Sequence, residues 1–167
     1  MELAAQIIGI VVTVLCILAT QLKRKWQILL VSLSANFLNV IMFFLLNGIT
    51  SAVMVSVTAT VQCAVNLVLT CKGKEASLFQ KILFTVLYLV GGVLQYTGVL
   101  DVLPIVASMF FMLTVFQKKE QHMRWFSAVN VTIWIVYHSI IGTTAVWGQV
   151  FALISTSIAL YRYRKTS

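Results

Sequence analysis

The sequence predicts an all-α membrane protein of seven transmembrane helices laid out three, one, three. Two parallel three-helix repeats are joined by a linker helix, with the N-terminus outside and the C-terminus inside. Three observations carry this. Hydrophobic residues make up 60% of the 167, against twelve basic and four acidic ones, too little charge to cover a soluble domain. The apolar residues fall into seven segments, most near the ~20 residues that a helix needs to cross a hydrocarbon core of about 30 Å. The basic residues fall into four groups, at every second boundary between segments. An odd helix count then has a topological reason. A three-helix unit starts on one side of the membrane and ends on the other. A second unit inserts in the same orientation only after one further helix carries the chain back. Residues 79–96, FQKILFTVLYLVGGVLQY, are that return, and parallel repeats about the membrane normal are a known plan for small transporters.

The net charge of +8 invites a nucleic-acid reading, which its distribution opposes. The groups are Lys23, Arg24, Lys25; Lys72, Lys74, Lys81; Lys118, Lys119, Arg124; and Arg162, Arg164, Lys165. In a seven-helix path all four lie on one side, and Glu2 and Asp101 lie on the other with no basic residue. Lysine and arginine mark the cytoplasmic face, so these groups are expected to set topology and to meet anionic headgroups of the bilayer. The expected partners are therefore lipid and a small solute, with no nucleic acid and with a homo-oligomer left open. The chain is one membrane domain: residues 1–71 the first repeat, 72–98 the linker helix, 99–167 the second repeat.

In order, segment 1 spans 3–22. It follows Glu2 rather than a basic stretch, which separates it from a signal peptide. Segment 2, residues 26–46, ends at the turn signal Asn47-Gly48, and segment 3 spans 49–71. The polar stretch 72–77 leads into segment 4, where Gly91-Gly92 is expected to let another helix approach closely. Asp101 is expected to cap segment 5, with Pro104 tolerated in its first turn. Segment 5, residues 102–116, is short for a full span. Segment 6 spans 123–141 and stops at Gly142, and segment 7 spans 145–161. Gly48, Pro104 and Gly142 are thus expected to be structural. A shift of 94 residues superposes Asn36 on Asn130 and Gly48 on Gly142, thin residue-level support for the repeat.

Polar residues inside the segments recur at helical spacing. Ser32, Asn36, Asn39 and Phe43 share one face of segment 2. Thr58, Gln62 and Asn66 share one face of segment 3. Ser127, Asn130, Trp134 and Tyr137 form a row on segment 6, and Gln149, Ala152 and Thr156 one on segment 7. Asn36, Gln62, Asn130 and Trp134 fall near mid-membrane. The plain reading is helix–helix hydrogen bonding, worth about 0.6–2 kcal/mol per bond. The functional reading is a midplane solute site formed by Asn36, Asn39, Gln62, Asn66, Asn130, Trp134, Tyr137 and Thr156, with amides exchanging hydrogen bonds and Trp134 stacking on an apolar face.

Other chemistry is not signalled. No paired carboxylate, metal-ligand spacing, nucleophile elbow or phosphate-cradling glycine loop is present, so neither an enzyme nor a cofactor or metal is expected. The three cysteines form no recognised pair. His138 is expected to be a packing residue near the external end of segment 6 rather than a proton switch.

The stretches QIIGI at 6–10, KRK at 23–25 and ANFLNVIMFFLLNG at 35–48 resemble the YgjV family of bacterial inner-membrane proteins. So do LPIVAS at 103–108, MRWFS at 123–127, WIVYHSIIG at 134–142 and YRYRK near the end. That resemblance implies a multi-pass protein of the bacterial inner membrane and supplies no activity. The three, one, three plan is similar to that of the SWEET sugar carriers and PQ-loop transporters, an analogy of fold only. The expectation is a facilitative carrier of a small neutral polar solute. The alternative is a non-transporting scaffold or lipid-interacting assembly protein, which would pack the same polar stripes dry.

Overall fold

The computed structural model describes residues 2–47, 51–93, 98–141 and 145–164. Seven α-helices account for nearly all of them: α1 Glu2–Gln21, α2 Lys25–Asn47, α3 Ser51–Cys71, α4 Leu78–Val93, α5 Val102–Phe116, α6 Glu120–Ile141 and α7 Ala145–Arg162, with one 3-10 turn, Val99–Asp101, ahead of α5. No strand occurs among the described residues. The predicted segments and the observed helices agree to within a few residues, and segment 5 agrees at both ends. Gly48, Gly142, the Asp101 side chain and the end of segment 4 lie outside the described residues.

The outer surface is far more apolar than that of a soluble protein, and several polar side chains are buried. Ile10, Phe37, Phe79, Phe151 and many other large apolar side chains are exposed, while Gln62, Asn66, Asn130, Thr156 and Arg124 are buried. A bilayer reverses the usual rule, because lipid solvates apolar surface and leaves polar groups to find partners inside the protein. Among the described residues three helices are long and apolar enough to span: α1 over Ala4–Gln21, α2 over Lys25–Leu45 and α3 over Val53–Cys71. With 16 and 15 residues, α4 and α5 reach only about 22–24 Å at 1.5 Å per residue.

The helices pack mainly on their neighbours in sequence. α2 lies between α1 and α3, and α6 between α5 and α7. These two groups of three meet along two seams, α1 on α7 and α3 on α5, and α4 packs against both α3 and α5. The core has two centres. Ile28, Leu29, Cys63, Val115 and Met123 bring together α2, α3, α5 and α6. Ala59, Phe84, Tyr88 and Met112 bring together α3, α4 and α5. α4 is peripheral: it buries only Phe84 and Tyr88, and Phe84 meets Phe116 of α5 with ring centroids 6.2 Å apart.

Glycines mark the close approaches. A Cβ on Gly92 would stand 2.6 Å from Cγ1 of Ile105, whereas one on Gly91 would meet nothing within 4 Å. The glycine pair of α4 therefore admits α5 through Gly92 alone. At the end of α3, Gly73 adopts φ +63°. Its N–H reaches Thr70 O at 3.1 Å, and the Lys74 N–H reaches Leu69 O at 2.8 Å. This pair of bonds is the Schellman motif, in which a left-handed glycine satisfies carbonyls left without partners at a helix end. Pro104 sits in the first turn of α5, where its missing N–H breaks no helical bond.

Gly92→Ala is expected to destabilise the protein in thermal unfolding in detergent, because the branched stem of Ile105 is not a free end that can swing away. Gly91→Ala is expected to be neutral or mildly stabilising. Equal melting temperatures for the two variants would contradict this packing.

Candidate functional site

Gln62, in the middle of α3, is completely buried. Its Oε1 accepts a bond from the Tyr88 hydroxyl at 3.0 Å, and its Nε2 donates to the Met112 carbonyl at 3.3 Å. One amide thus ties α3 to α4 and α5. One turn on, buried Asn66 donates from Nδ2 to Gln62 O at 2.9 Å. Asn36 of α2 donates to Ser32 O at 2.8 Å and approaches Cys63 Sγ at 3.8 Å. Asn130 of α6 donates to Ala107 O of α5 at 2.6 Å. Thr156 of α7 donates to Ala152 O at 2.7 Å within its own helix.

The eight predicted site residues therefore divide. Gln62, Asn66, Asn130 and Thr156 are buried; Asn36, Asn39, Trp134 and Tyr137 are half-buried. Asn36, Gln62 and Asn66 form a neighbourhood around mid-α3. Asn130 bonds inside the second helix group. Trp134 faces Tyr137 edge-on at 5.6 Å and stacks on His138 at 5.5 Å, all three on one side of α6. Their hydrogen bonds and ring contacts run in separate clusters.

A second polar node surrounds the end of α1 and draws in the starts of α2 and α6 and the end of α7. α1 ends without a glycine or a basic residue in its last turn, so its final carbonyls need donors from elsewhere. Arg124 of α6, 4% exposed, supplies them: Nε to Thr20 O at 3.1 Å and Nη2 to Leu22 O at 2.6 Å. The Tyr163 hydroxyl donates to Gln21 O at 3.1 Å, and the Arg124 guanidinium lies 4.6 Å from the Tyr163 ring centroid. A cation at a helix C-terminus also offsets the helix dipole. Glu120 performs the converse service at the start of α2, accepting the Lys25 backbone N–H at 3.1 Å. Gln21 reaches Ser155 O and Oγ, each at 2.8 Å, and closes the α1–α7 seam.

Beside this node is a shallow recess with about 20 Å³ of free volume, lined by Lys25, Asn66, Lys74, Glu75, Lys81 and Lys118 among others. Lys118 Nζ and Glu75 Oε2 pair at 2.7 Å on the surface. The lysine holds the Glu75 carboxyl below its ordinary range, so the pair forms at neutral pH and is lost as the pH falls through that lowered value. No cluster of metal-ligating side chains occurs among the described residues.

A family model for the bacterial inner membrane protein family Imp-YgjV matches residues 3–167. The chain belongs to that family. No curated protein and no solved structure matches it. An apolar outer surface over buried polar side chains is consistent with an inner-membrane protein.

Sequence reasoning about this Imp-YgjV chain missed Tyr88, because α4 was read as a linker rather than as a partner of Gln62. It also grouped Arg124 with the topology charges, although the guanidinium is buried against α1. A signal for each was present. Tyr88 is the one tyrosine within α4, and Arg124 lies four residues past Glu120 on a helix whose other basic groups lie at its ends.

A double-mutant cycle tests the Gln62 node. Gln62→Leu is expected to cost about 1–3 kcal/mol in reversible unfolding, since it leaves the buried Tyr88 hydroxyl without its acceptor. The coupling between Gln62→Leu and Tyr88→Phe is expected near 0.6–2 kcal/mol; strict additivity of the two changes would remove the bond from the account.

Proposed function

We propose that this protein is a seven-span inner-membrane scaffold that does not transport a solute. In this reading its two three-helix groups are parallel repeats, its N-terminus is outside, and its basic end meets anionic headgroups at the cytoplasmic face. One observation supports it above others. The midplane amides that a carrier would use for a solute are engaged with the protein's own carbonyls and with Tyr88, most fully at Gln62. Cys63 and Leu29, both fully buried, close the centre between α2, α3, α5 and α6. A scaffold packs such stripes dry, and Gln62 and Asn130 then supply cohesion between helices in lipid.

The second reading is the facilitative carrier of a small neutral polar solute, bound between the repeats near Asn36, Gln62, Asn130 and Trp134. A specific observation favours it: the bond from Gln62 to Met112 crosses the α3–α5 seam at 3.3 Å, a weak link that a polar solute could replace.

Native Cys63 separates the two. With Cys16→Ala and Cys71→Ala in place, a small water-soluble thiosulfonate is applied to right-side-out and inverted membrane vesicles. The scaffold reading expects Cys63 to stay unmodified from both sides until the protein is unfolded in detergent. A Lys74→Cys control, made with Cys63→Ala as well, should label only in inverted vesicles. Modification of Cys63 as fast as the Lys74→Cys control would mean that water reaches the midplane, and would transfer the proposal to the carrier.

A further inference from the structure

The recess at the basic end gathers charge in a way that topology alone does not require. Lys25 enters from the start of α2, Lys74 from the α3–α4 connection, Lys81 from the first turn of α4, and Lys118 from the α5–α6 connection. Glu75 is the one acidic residue on the lining, which leaves a surplus of three positive charges. Lys25 lies close enough to Lys81 and Lys118 to feel their charge as well as that of Glu75 and Glu120. Lysines that only mark a cytoplasmic face gain nothing from facing one another, since like charges at short range repel.

The rim is built rather than loose. The Schellman motif at Gly73 fixes the backbone that carries Lys74 and Glu75. Three residues later a capping box starts α4: the Ser77 N–H donates to Gln80 Oε1 at 2.8 Å, and the Gln80 N–H donates to Ser77 Oγ at 3.2 Å. Lys81 follows directly, its own N–H bonded to Ser77 O at 3.1 Å. The lining includes Asn66, 3% exposed. Asn66 spends one Nδ2 hydrogen on Gln62 O, and its other amide valences have no partner among the described residues, although a carboxamide can make up to four bonds.

The free volume, about 20 Å³, holds roughly one water-sized group. An organic molecule cannot enter whole, but one oxygen-bearing face of a tetrahedral anion can sit at the mouth. Ammonium groups bind phosphate as point charges through short charge-assisted bonds.

We propose that the recess formed by Lys25, Asn66, Lys74, Lys81 and Lys118 is a binding site for a phosphate-bearing anion, with Glu75 holding Lys118 in place until the anion arrives. The site rests on the recess alone and stands whether or not the bundle carries a solute. The phosphate comes either from an anionic lipid headgroup or from a soluble ion.

The test uses the full-length protein in nanodiscs and compares Lys25→Gln/Lys81→Gln with Lys23→Gln/Arg162→Gln, which removes the same charge outside the recess. Folding of each variant is checked first by circular dichroism and gel filtration. Thermal unfolding is then followed in zwitterionic phosphatidylcholine discs, in discs containing phosphatidylglycerol, and in zwitterionic discs with inorganic phosphate replacing chloride at constant ionic strength. The wild type should be stabilised by phosphatidylglycerol, by inorganic phosphate, or by both, and the recess variant should bind the stabilising species about tenfold more weakly, with the control pair unchanged. A response to phosphatidylglycerol alone assigns the source to a headgroup, and a response to phosphate alone assigns it to a soluble anion. Equal losses in the two variants would mean diffuse surface attraction, and no response of the wild type to either species would mean no site; each overturns the proposal.

Discussion

The constraint behind this structure is that hydrocarbon offers no hydrogen bonds. A polar group between helices must find its partner inside the protein or leave an unmet donor or acceptor. Gln62 shows the solution most fully: one side chain engages α4 through Tyr88 and α5 through the Met112 carbonyl, and its own carbonyl receives Asn66. Lipid removes most of the hydrophobic drive for helix association, so close packing and such bonds must hold the bundle together. The contact of α4 with α5 at Gly92 and Ile105 is the packing half of the same arrangement.

Helix ends pose the same demand in a sharper form, because their last carbonyls and first N–H groups have no partner in the helix. The structure meets it with side chains from far along the chain. Arg124 and Tyr163 complete α1, Glu120 completes α2, and Gln121 donates to Leu160 O of α7 at 2.8 Å. These bonds tie the ends of α1 and α7 to the starts of α2 and α6 and fix the two helix groups against each other there. The lysine recess lies beside them, where the α3–α4 and α5–α6 connections meet the start of α2.

The elements were legible because their signal is local. Apolar runs, capping residues and charge boundaries placed every helix, and the limits Val102–Phe116 were read without error. Periodicity also put Gln62 and Asn66 on one inward face. It could not say which helix that face would meet, because the partner of Gln62 is a tyrosine 26 residues away and a backbone carbonyl 50 residues away. Arg124 was obscured for a related reason: counting basic residues on one side of a membrane treats each as a surface charge, and only its placement beside the end of α1 turns it into a cap. The stretch 72–77 read as a plain polar separator, although Gly73 and the Ser77–Gln80 pair make it two well-formed helix ends.

The central claim is that the Gln62 side chain is dry in the bilayer and satisfied within the protein. Water-edited solid-state NMR on the uniformly nitrogen-15-labelled protein in lipid tests it directly by following magnetisation as it passes from water to backbone and side-chain amides. The account predicts slow transfer to the Gln62 and Asn130 amides, comparable to that of the Leu29 backbone. Transfer to Gln62 as fast as to the exposed Lys74 backbone would contradict it.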